Sequence, residues 1–245
     1  MKDVLSRIGI GSARVDTVLP SQTVRAGDTV DAEVHVEGGS TEQDIDAIYF
    51  ALETEYRTED GYRDAVVDKW QLTDPFTIGT EEDRRFETTV DIPRHTPVTV
   101  GSVSVEIETG LDISMAVDPE DEDRLEVRPT ARLQAVFDAL EALDFTLHSA
   151  SCEATPGGLL ATSARFVQEF EFRPTGGEFA GQVDEVEVVP VYDDDSLTVH
   201  LEVDRRGGLL SEAMDTDERH TSFTVATADP ASIKSSLSDA IRQLS

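Results

Sequence analysis

Hydrophobic and polar residues alternate along most of the first half of the chain. Apolar side chains at every second position from Val30 to Val36 share one side of an extended segment, and the residues between them are polar. This period of two predicts a half-buried β-strand, and glycine-containing turn signals stand at 26–28 and 38–40. Similar apolar runs occur at 48–56, 65–72, 76–78, 86–92 and 103–107. Gly61 marks a hairpin-like break, and short strands separated by turn signals predict an antiparallel β-sandwich.

The hydrophobic period changes after Pro129. Apolar residues recur there at every third or fourth position: Leu133, Val136, Phe137, Leu140 and Leu143. This spacing predicts one face of a helix over 130–143, and proline is tolerated at a helix start. We therefore place a domain boundary near Arg128. We interpret the segment from the acidic run 118–123 to residue 130 as a linker that proteases should cut if it is exposed.

Strand-like alternation returns in the second half, at 166–172, 183–191 and 197–203. Asp229 and Pro230 then have the form of an N-cap and a first helical residue, and the apolar spacing beyond them predicts a helix over 231–244. The predicted fold class is all-β. It comprises two antiparallel β-sandwich domains, 1–128 and 129–245, with a helix at the start of the second domain and a C-terminal helix.

Charge is the strongest compositional feature of the chain. Asp and Glu number 51 and Lys and Arg number 20, so the formal net charge is −31. Molar salt shortens the Debye length to about 3 Å and screens the resulting repulsion. Composition therefore predicts a cytoplasmic protein of a salt-accumulating halophile, the alternative being an ordinary acidic protein. Nucleic acid is not an expected partner, because phosphate binding depends on Lys and Arg and the longest basic clusters are the pairs 84–85 and 205–206.

Cysteine content and hydropathy exclude further classes of protein. One cysteine, Cys152, rules out an internal disulfide and supplies no metal-site spacing. The first residues lack the apolar run of a signal peptide. No stretch approaches the ~20 apolar residues of a transmembrane helix. We expect no membrane insertion and a cytoplasmic location.

No residue pattern predicts catalysis. Residues 9–11 resemble the start of a dinucleotide fingerprint, but the third glycine and the βαβ frame are missing. The alternating patterns place His35 and His200 on solvated polar faces. Glu169 and Glu171 lie two apart on one strand face, which we interpret as solvated rather than as an acid–base pair. We identify no catalytic residue, no cofactor-binding residue and no metal ligand, and we do not expect an enzyme or a bound cofactor.

Strings of residues along the chain resemble the SpoOM sporulation-control family, a branch of the arrestin clan. They occur in order at 8–19 (IGIGSARVDTVL), 27–28, 35–40, 49–56, 92–98, 109–119, 166–172 (FVQEFEF), 174, 184–185 and 203–206. The chain departs from the family in its composition, since lysines are nearly absent and acids are added, as in an acidic member of the haloarchaeal type. The resemblance implies two arrestin-like β-sandwiches that act as a non-catalytic regulatory adaptor.

Two hypotheses of function follow. The favoured hypothesis is an adaptor or scaffold that binds an unidentified protein partner, or its own copy, by strand addition at a sandwich edge or through a sandwich face. The alternative is a β-sandwich that binds a small ligand or a divalent metal at an acidic cluster, 118–123 or 193–195. Co-purification of a defined protein would favour the first hypothesis, and stabilisation by calcium in saturating salt would favour the second.

Overall fold

The computed structural model describes residues 12–114, 118–155, 164–193, 196–205 and 220–245. Within these residues the first nine strands are β1 (Arg14–Val18), β2 (Thr23–Arg25), β3 (Thr29–Glu37), β4 (Gln43–Thr58), β5 (Gly61–Gln71), β6 (Phe76–Ile78), β7 (Asp83–Asp91), β8 (Val105–Ile113) and β9 (Glu120–Arg128). The later elements are α1 (Ala131–Glu141), β10 (Phe145–Ala154), β11 (Phe166–Pro174), β12 (Val183–Tyr192), β13 (Leu197–Arg205), β14 (His220–Val225) and α2 (Pro230–Leu244). The all-β prediction is confirmed.

Both helices begin where the sequence predicts them. The Thr130 hydroxyl accepts a hydrogen bond from the Leu133 N–H at 3.2 Å and caps α1. The Asp229 carboxylate accepts from the Ala231 N–H at 3.2 Å, so that Pro230 occupies the first helical position of α2. Such caps satisfy backbone donors that have no partner inside the helix. Neither described helix is long and apolar enough to cross a membrane.

The chain divides into two compact units. Unit 1 consists of residues 1–55, 64–99 and 104–128, and unit 2 of residues 56–63, 100–103 and 129–245. The separate folding of 1–128 and 129–245 as domains stays a prediction.

Unit 1 is a sandwich of two sheets. One sheet has three strands in the order β1-β3-β7. The other contains β4, β8, β9 and β2 in that order, and β5 and β6 pair with β4. Side chains from both sheets form one apolar core, in which Val34, Phe50 and Leu111 are fully buried. The alternation of the predicted strands supplies these inward positions.

Residues 118–128 correct one prediction. We interpreted this segment as a linker, but Glu120–Arg128 is strand β9, which pairs with β8 from Glu120 to Leu125 and with β2 from Glu126 to Arg128. The inward side of β9 carries acidic side chains at its start and becomes apolar only at Leu125 and Val127. Hydrophobic periodicity therefore gives no signal for the first half of this strand.

Unit 2 contains an antiparallel sheet in the order β14-β13-β12-β11-β10. One face of this sheet is apolar and packs against the helices. Phe137 of α1 contacts Phe170 and Phe172 of β11, with ring centroids 4.9 and 5.4 Å apart. The other face carries mostly polar side chains, which include Glu171, Glu187 and Glu202 in one row across three strands.

Candidate functional site

The three-stranded sheet of unit 1 has two edges, and the register shows which backbone groups point outward at each. The Gly38 N–H donates to the Glu82 carbonyl at 2.8 Å, and the Ile92 N–H donates to the Asp28 carbonyl at 2.9 Å. These bonds lie at the two ends of the continuous β3–β7 register, which runs from Glu37 opposite Asp83 to Thr29 opposite Asp91. Bonded and non-bonded pairs alternate in an antiparallel ladder. Even-numbered residues of β7 therefore bond to β3, and odd-numbered residues point away from it.

The β1 edge is closed by side chains of unit 1. The same alternation turns odd-numbered residues of β1 outward, because odd-numbered residues of β3 pair with even-numbered residues of β1. Two outward N–H groups are indeed taken: Thr17 donates to Asp121 Oδ2 at 2.9 Å and Ala13 donates to Gln43 Oε1 at 2.7 Å. These bonds support the assignment of direction independently. An added strand would have to displace both side chains.

The β7 edge, defined here as the outward N–H and C=O groups of Arg85, Glu87 and Thr89, has no such cover among the described residues. No described side chain accepts from these three N–H groups, and no described strand lies beside them. The one contact is a 3.5 Å approach of the Thr88 hydroxyl to the Thr89 carbonyl. The strand contains neither proline nor glycine, and its register with β3 is unbroken. Such an edge can pair with another extended segment.

Other edges of the described sheets are shorter or interrupted. β2 has three residues and β14 has six. In β5, Val67 and Trp70 both pack against the core, although they are three positions apart. This spacing indicates a β-bulge, and the Lys69 N–H at that point donates to Asp68 Oδ1 at 2.8 Å. Bulges and lysines are common protections of edge strands.

Charges of both signs surround the β7 edge. Arg84 contacts Glu82 at 2.6 Å and lies over the ring of Phe76. Arg85, whose side chain is 67% exposed, lies 3.3 Å from Glu33. The hydrogen bond between His35 and Glu33, together with the charges of His35 and Arg85, lowers the pKa of Glu33. A partner segment would meet one of the few basic side chains of this acidic chain.

A shallow groove lies on the solvent face of the three-stranded sheet, beside the β7 edge. Its volume is about 320 Å³, and its lining includes Arg14, Asp16, His35, Glu37 and Arg85. His35 was predicted to be a solvated polar residue, and the structure adds a hydrogen bond between its ring and Glu33. Alternation along one strand reports the face on which a residue lies and not its neighbour across the sheet.

Glu169 corrects the prediction of a solvated carboxylate. It lies on the polar face of the unit 2 sheet, where it is half-buried and a hydrogen bond joins it to Glu187 of β12. Burial and the charge of Glu187 raise the pKa of Glu169 to about 8. Burial also raises the pKa of Glu187 and lowers that of His200 on the same face. Burial and a cross-strand partner both act on Glu169, and neither can be derived from the spacing of residues along one strand.

The acidic clusters do not form a metal site among the described residues. No group of three or more His, Cys, Asp or Glu side chains is placed there to hold a metal ion. In the first cluster, Asp121 binds the Thr17 N–H. In the second, the Asp193 N–H donates to the Ser196 carbonyl at 3.1 Å, while residues 194–195 lie outside the described residues. The glycines of 9–11 also lie outside them.

Comparisons with known proteins agree with this architecture. The family model of the SpoOM protein matches residues 1–207. The chain is 38% identical to the sporulation-control protein spo0M of Bacillus subtilis (strain 168) over 209 residues, which are 84% of this chain and 80% of that protein. The crystal structure of Spo0M from Bacillus subtilis superposes with a TM-score of 0.84 at 33% identity, covering 96% of this chain and 100% of that one.

Proposed function

Because this chain belongs to the SpoOM protein family, we propose that it is a non-catalytic regulatory adaptor that acts in the cytoplasm and receives an extended segment of a protein partner at the β7 edge. Family membership supports the regulatory role, since the Bacillus subtilis relative is a sporulation-control protein. For this chain we propose only the regulation of other proteins. Control of sporulation is a property of the Bacillus subtilis relative.

The observation that carries this proposal is the difference between the two edges of one sheet. At the β1 edge, Thr17 has a carboxylate partner for its outward N–H. At the β7 edge, three outward N–H groups in a row have no partner among the described residues. Backbone hydrogen bonds to an added strand would satisfy these groups. They depend less on ionic strength than exposed ion pairs, so they suit a protein that works in concentrated salt.

Thr89 offers the sharpest test. Thr89→Pro removes one outward N–H without touching the ladder to β3, whereas Thr89→Ala keeps that N–H. We expect Thr89→Pro to lose the proteins that wild type captures from its native extract in molar potassium chloride, and Thr89→Ala to retain them. Both variants should melt within a few degrees of wild type. Full capture by a folded Thr89→Pro variant would contradict the proposal.

Thr88→Pro serves as the directional control. Its N–H points to β3, so proline there removes a ladder hydrogen bond and should lower the melting temperature much more than Thr89→Pro does. Equal melting temperatures for the two proline variants would show that the outward and inward directions are wrongly assigned. The comparison thus tests the edge geometry separately from partner capture.

A further inference from the structure

The β7 edge is self-complementary when two copies of the strand are placed antiparallel. Its outward groups belong to odd-numbered residues, so an odd-numbered residue of one copy must lie opposite an odd-numbered residue of the other. A two-fold axis then passes through a single residue of the strand. Near the middle of β7 the axis can pass through Phe86, Glu87 or Thr88. Each position of the axis places a different set of side chains opposite each other.

Side-chain charge separates these registers. An axis through Glu87 places Glu87 opposite itself and Asp83 opposite Asp91, and like charges directly opposite each other destabilise a sheet. An axis through Phe86 instead places Arg85 opposite Glu87, once in each direction. It also places Phe86 opposite itself on the core-facing side of the sheet, where its ring already contacts Phe76 with centroids 5.4 Å apart, and cross-strand aromatic pairs are stabilising. The strand is therefore most complementary to itself about Phe86.

An axis through Thr88 is the nearest competitor, because it places Arg85 opposite Asp91. The Asp91 carboxylate already accepts a hydrogen bond from Thr29 Oγ1 at 2.5 Å. The Glu87 carboxylate accepts no hydrogen bond from any described residue, so it is free to pair with an arginine. The Phe86 register uses the unengaged carboxylate and adds the aromatic contact.

We propose that a second copy of this chain pairs antiparallel with the β7 edge, with Phe86 on the two-fold axis and Arg85 opposite Glu87 of the other copy. The inference rests on the proposed function, because the same backbone groups receive the partner segment. The two occupants exclude each other. Self-pairing then covers the edge until a partner segment competes for it.

Salt decides whether this dimer forms. Each copy carries a net charge of −31, so two copies repel each other at low ionic strength. In molar salt that long-range repulsion is screened, whereas backbone hydrogen bonds and the aromatic contact persist. About seven residues of each strand pair in this register, which is an interface of the small class typical of weak, reversible association. The dimer population should therefore rise with potassium chloride and with protein concentration.

Charge reversal tests the register. Arg85→Glu or Glu87→Arg alone places like charges opposite each other, and we expect either change to weaken the dimer by about two- to threefold, because two cross-strand pairs change sign at once while molar salt partly screens them. The double variant restores opposite charges and should restore the dimer. Sedimentation equilibrium in molar potassium chloride measures the dimer dissociation constant of wild type and of each variant. Weakening by Arg85→Glu but not by Glu87→Arg would favour the Thr88 register and overturn the proposed one.

Disulfide cross-linking of single-cysteine variants tests the same register without relying on charge. In a Cys152→Ser background, only a cysteine close to the two-fold axis can form a symmetric disulfide. We expect Phe86→Cys to cross-link on mild oxidation and Thr88→Cys to cross-link poorly. Preferential cross-linking of Thr88→Cys would overturn the register. A chain that stays monomeric at high concentration in molar salt would overturn the dimer itself.

These outcomes are distinguishable from failure of the proposed function. If wild type stays monomeric while Thr89→Pro still loses its partner, only the self-pairing is wrong. If the dimer forms in the Phe86 register while Thr89→Pro captures partners normally, the β7 edge holds a second copy and the proposed function is wrong. If Thr89→Pro loses both partner capture and dimer formation, the result supports the use of one edge for both.

Discussion

Asp121 Oδ2 accepts the hydrogen bond of the Thr17 N–H at 2.9 Å, and this is one of two side-chain contacts that distinguish the β1 edge of the three-stranded sheet from the β7 edge. Asp121 lies on β9 of the facing sheet, 104 residues further along the chain. A carboxylate that accepts from a backbone N–H makes a charge-assisted bond, which is stronger than one between neutral groups. Within unit 1, the bond links the two sheets and helps to close the β1 edge.

Asp121→Ala should therefore lower stability. The change leaves the partly buried Thr17 N–H without its acceptor, which costs about 1–3 kcal/mol. In a chain of this size each kcal/mol lowers the melting temperature by about 2–4 °C. Asp121→Asn keeps an acceptor oxygen and should lose less. If calorimetry shows equal melting temperatures for Asp121→Ala and wild type, the bond contributes nothing to stability.

Gly110 should not tolerate a side chain. A Cβ atom there would lie 2.1 Å from Cζ of the Tyr49 ring, and Lys69 Nζ already lies 3.7 Å from the centre of that ring. We expect Gly110→Ala to destabilise the chain by about 1–3 kcal/mol, because the ring must leave its position. Urea unfolding measures this loss. Tyr49→Ala should remove most of the clash, so the double variant should be more stable than additivity predicts; strict additivity would contradict the contact.

The sequence predicted those elements in which one side is continuously apolar. Alternation through Val30–Val36 predicted β3, and the three- and four-residue spacing after Pro129 predicted α1. The first half of β9 was missed because its inward residues make hydrogen bonds instead of apolar contacts. β10 gave no prediction for a different reason. A register shift between Leu147 and Ser149 breaks its alternation, and several of its inward residues are small.

The candidate site was less accessible to sequence reasoning. The residues of β7 predict a strand, but its place at an edge depends on pairing with β3, more than 40 residues earlier. The direction of its outward groups depends on bonds at Gly38 and Ile92 that lie beyond the ends of the strand pair. Hydrophobic periodicity reports burial and not hydrogen-bond direction. The sequence thus permits the proposal that a partner binds at a sheet edge. It does not identify β7 as that edge.

Stability should rise steeply with salt. Acidic residues face each other directly in both units: Glu108 opposite Glu122, and Glu187 opposite Glu171 on one side and Glu202 on the other. Screening lengths fall from about 10 Å to about 3 Å between 0.1 M and 1 M salt, so these repulsions should weaken. We expect a much higher melting temperature in molar potassium chloride than in dilute buffer. Sucrose at equal osmolality is the control for excluded-solute effects, and an unchanged melting temperature in salt would contradict the halophilic interpretation.

Stability should fall as pH rises from about 4.5 towards 8, because Glu169 keeps a proton in the folded chain. Its pKa is raised to about 8 by burial and by Glu187, from an ordinary value of 4.5. Between these values the folded state binds a proton that the unfolded state has lost, so each rise in pH favours unfolding. Glu169→Gln should flatten this decline and raise the melting temperature above pH 8 by about 2–4 °C, the equivalent of about 1 kcal/mol, since solvent screens a half-exposed pair. Glu141→Gln removes the same charge from the exposed end of α1 and is the matched control. Melting curves across this pH range that decline equally in wild type and Glu169→Gln would place the titrating proton elsewhere.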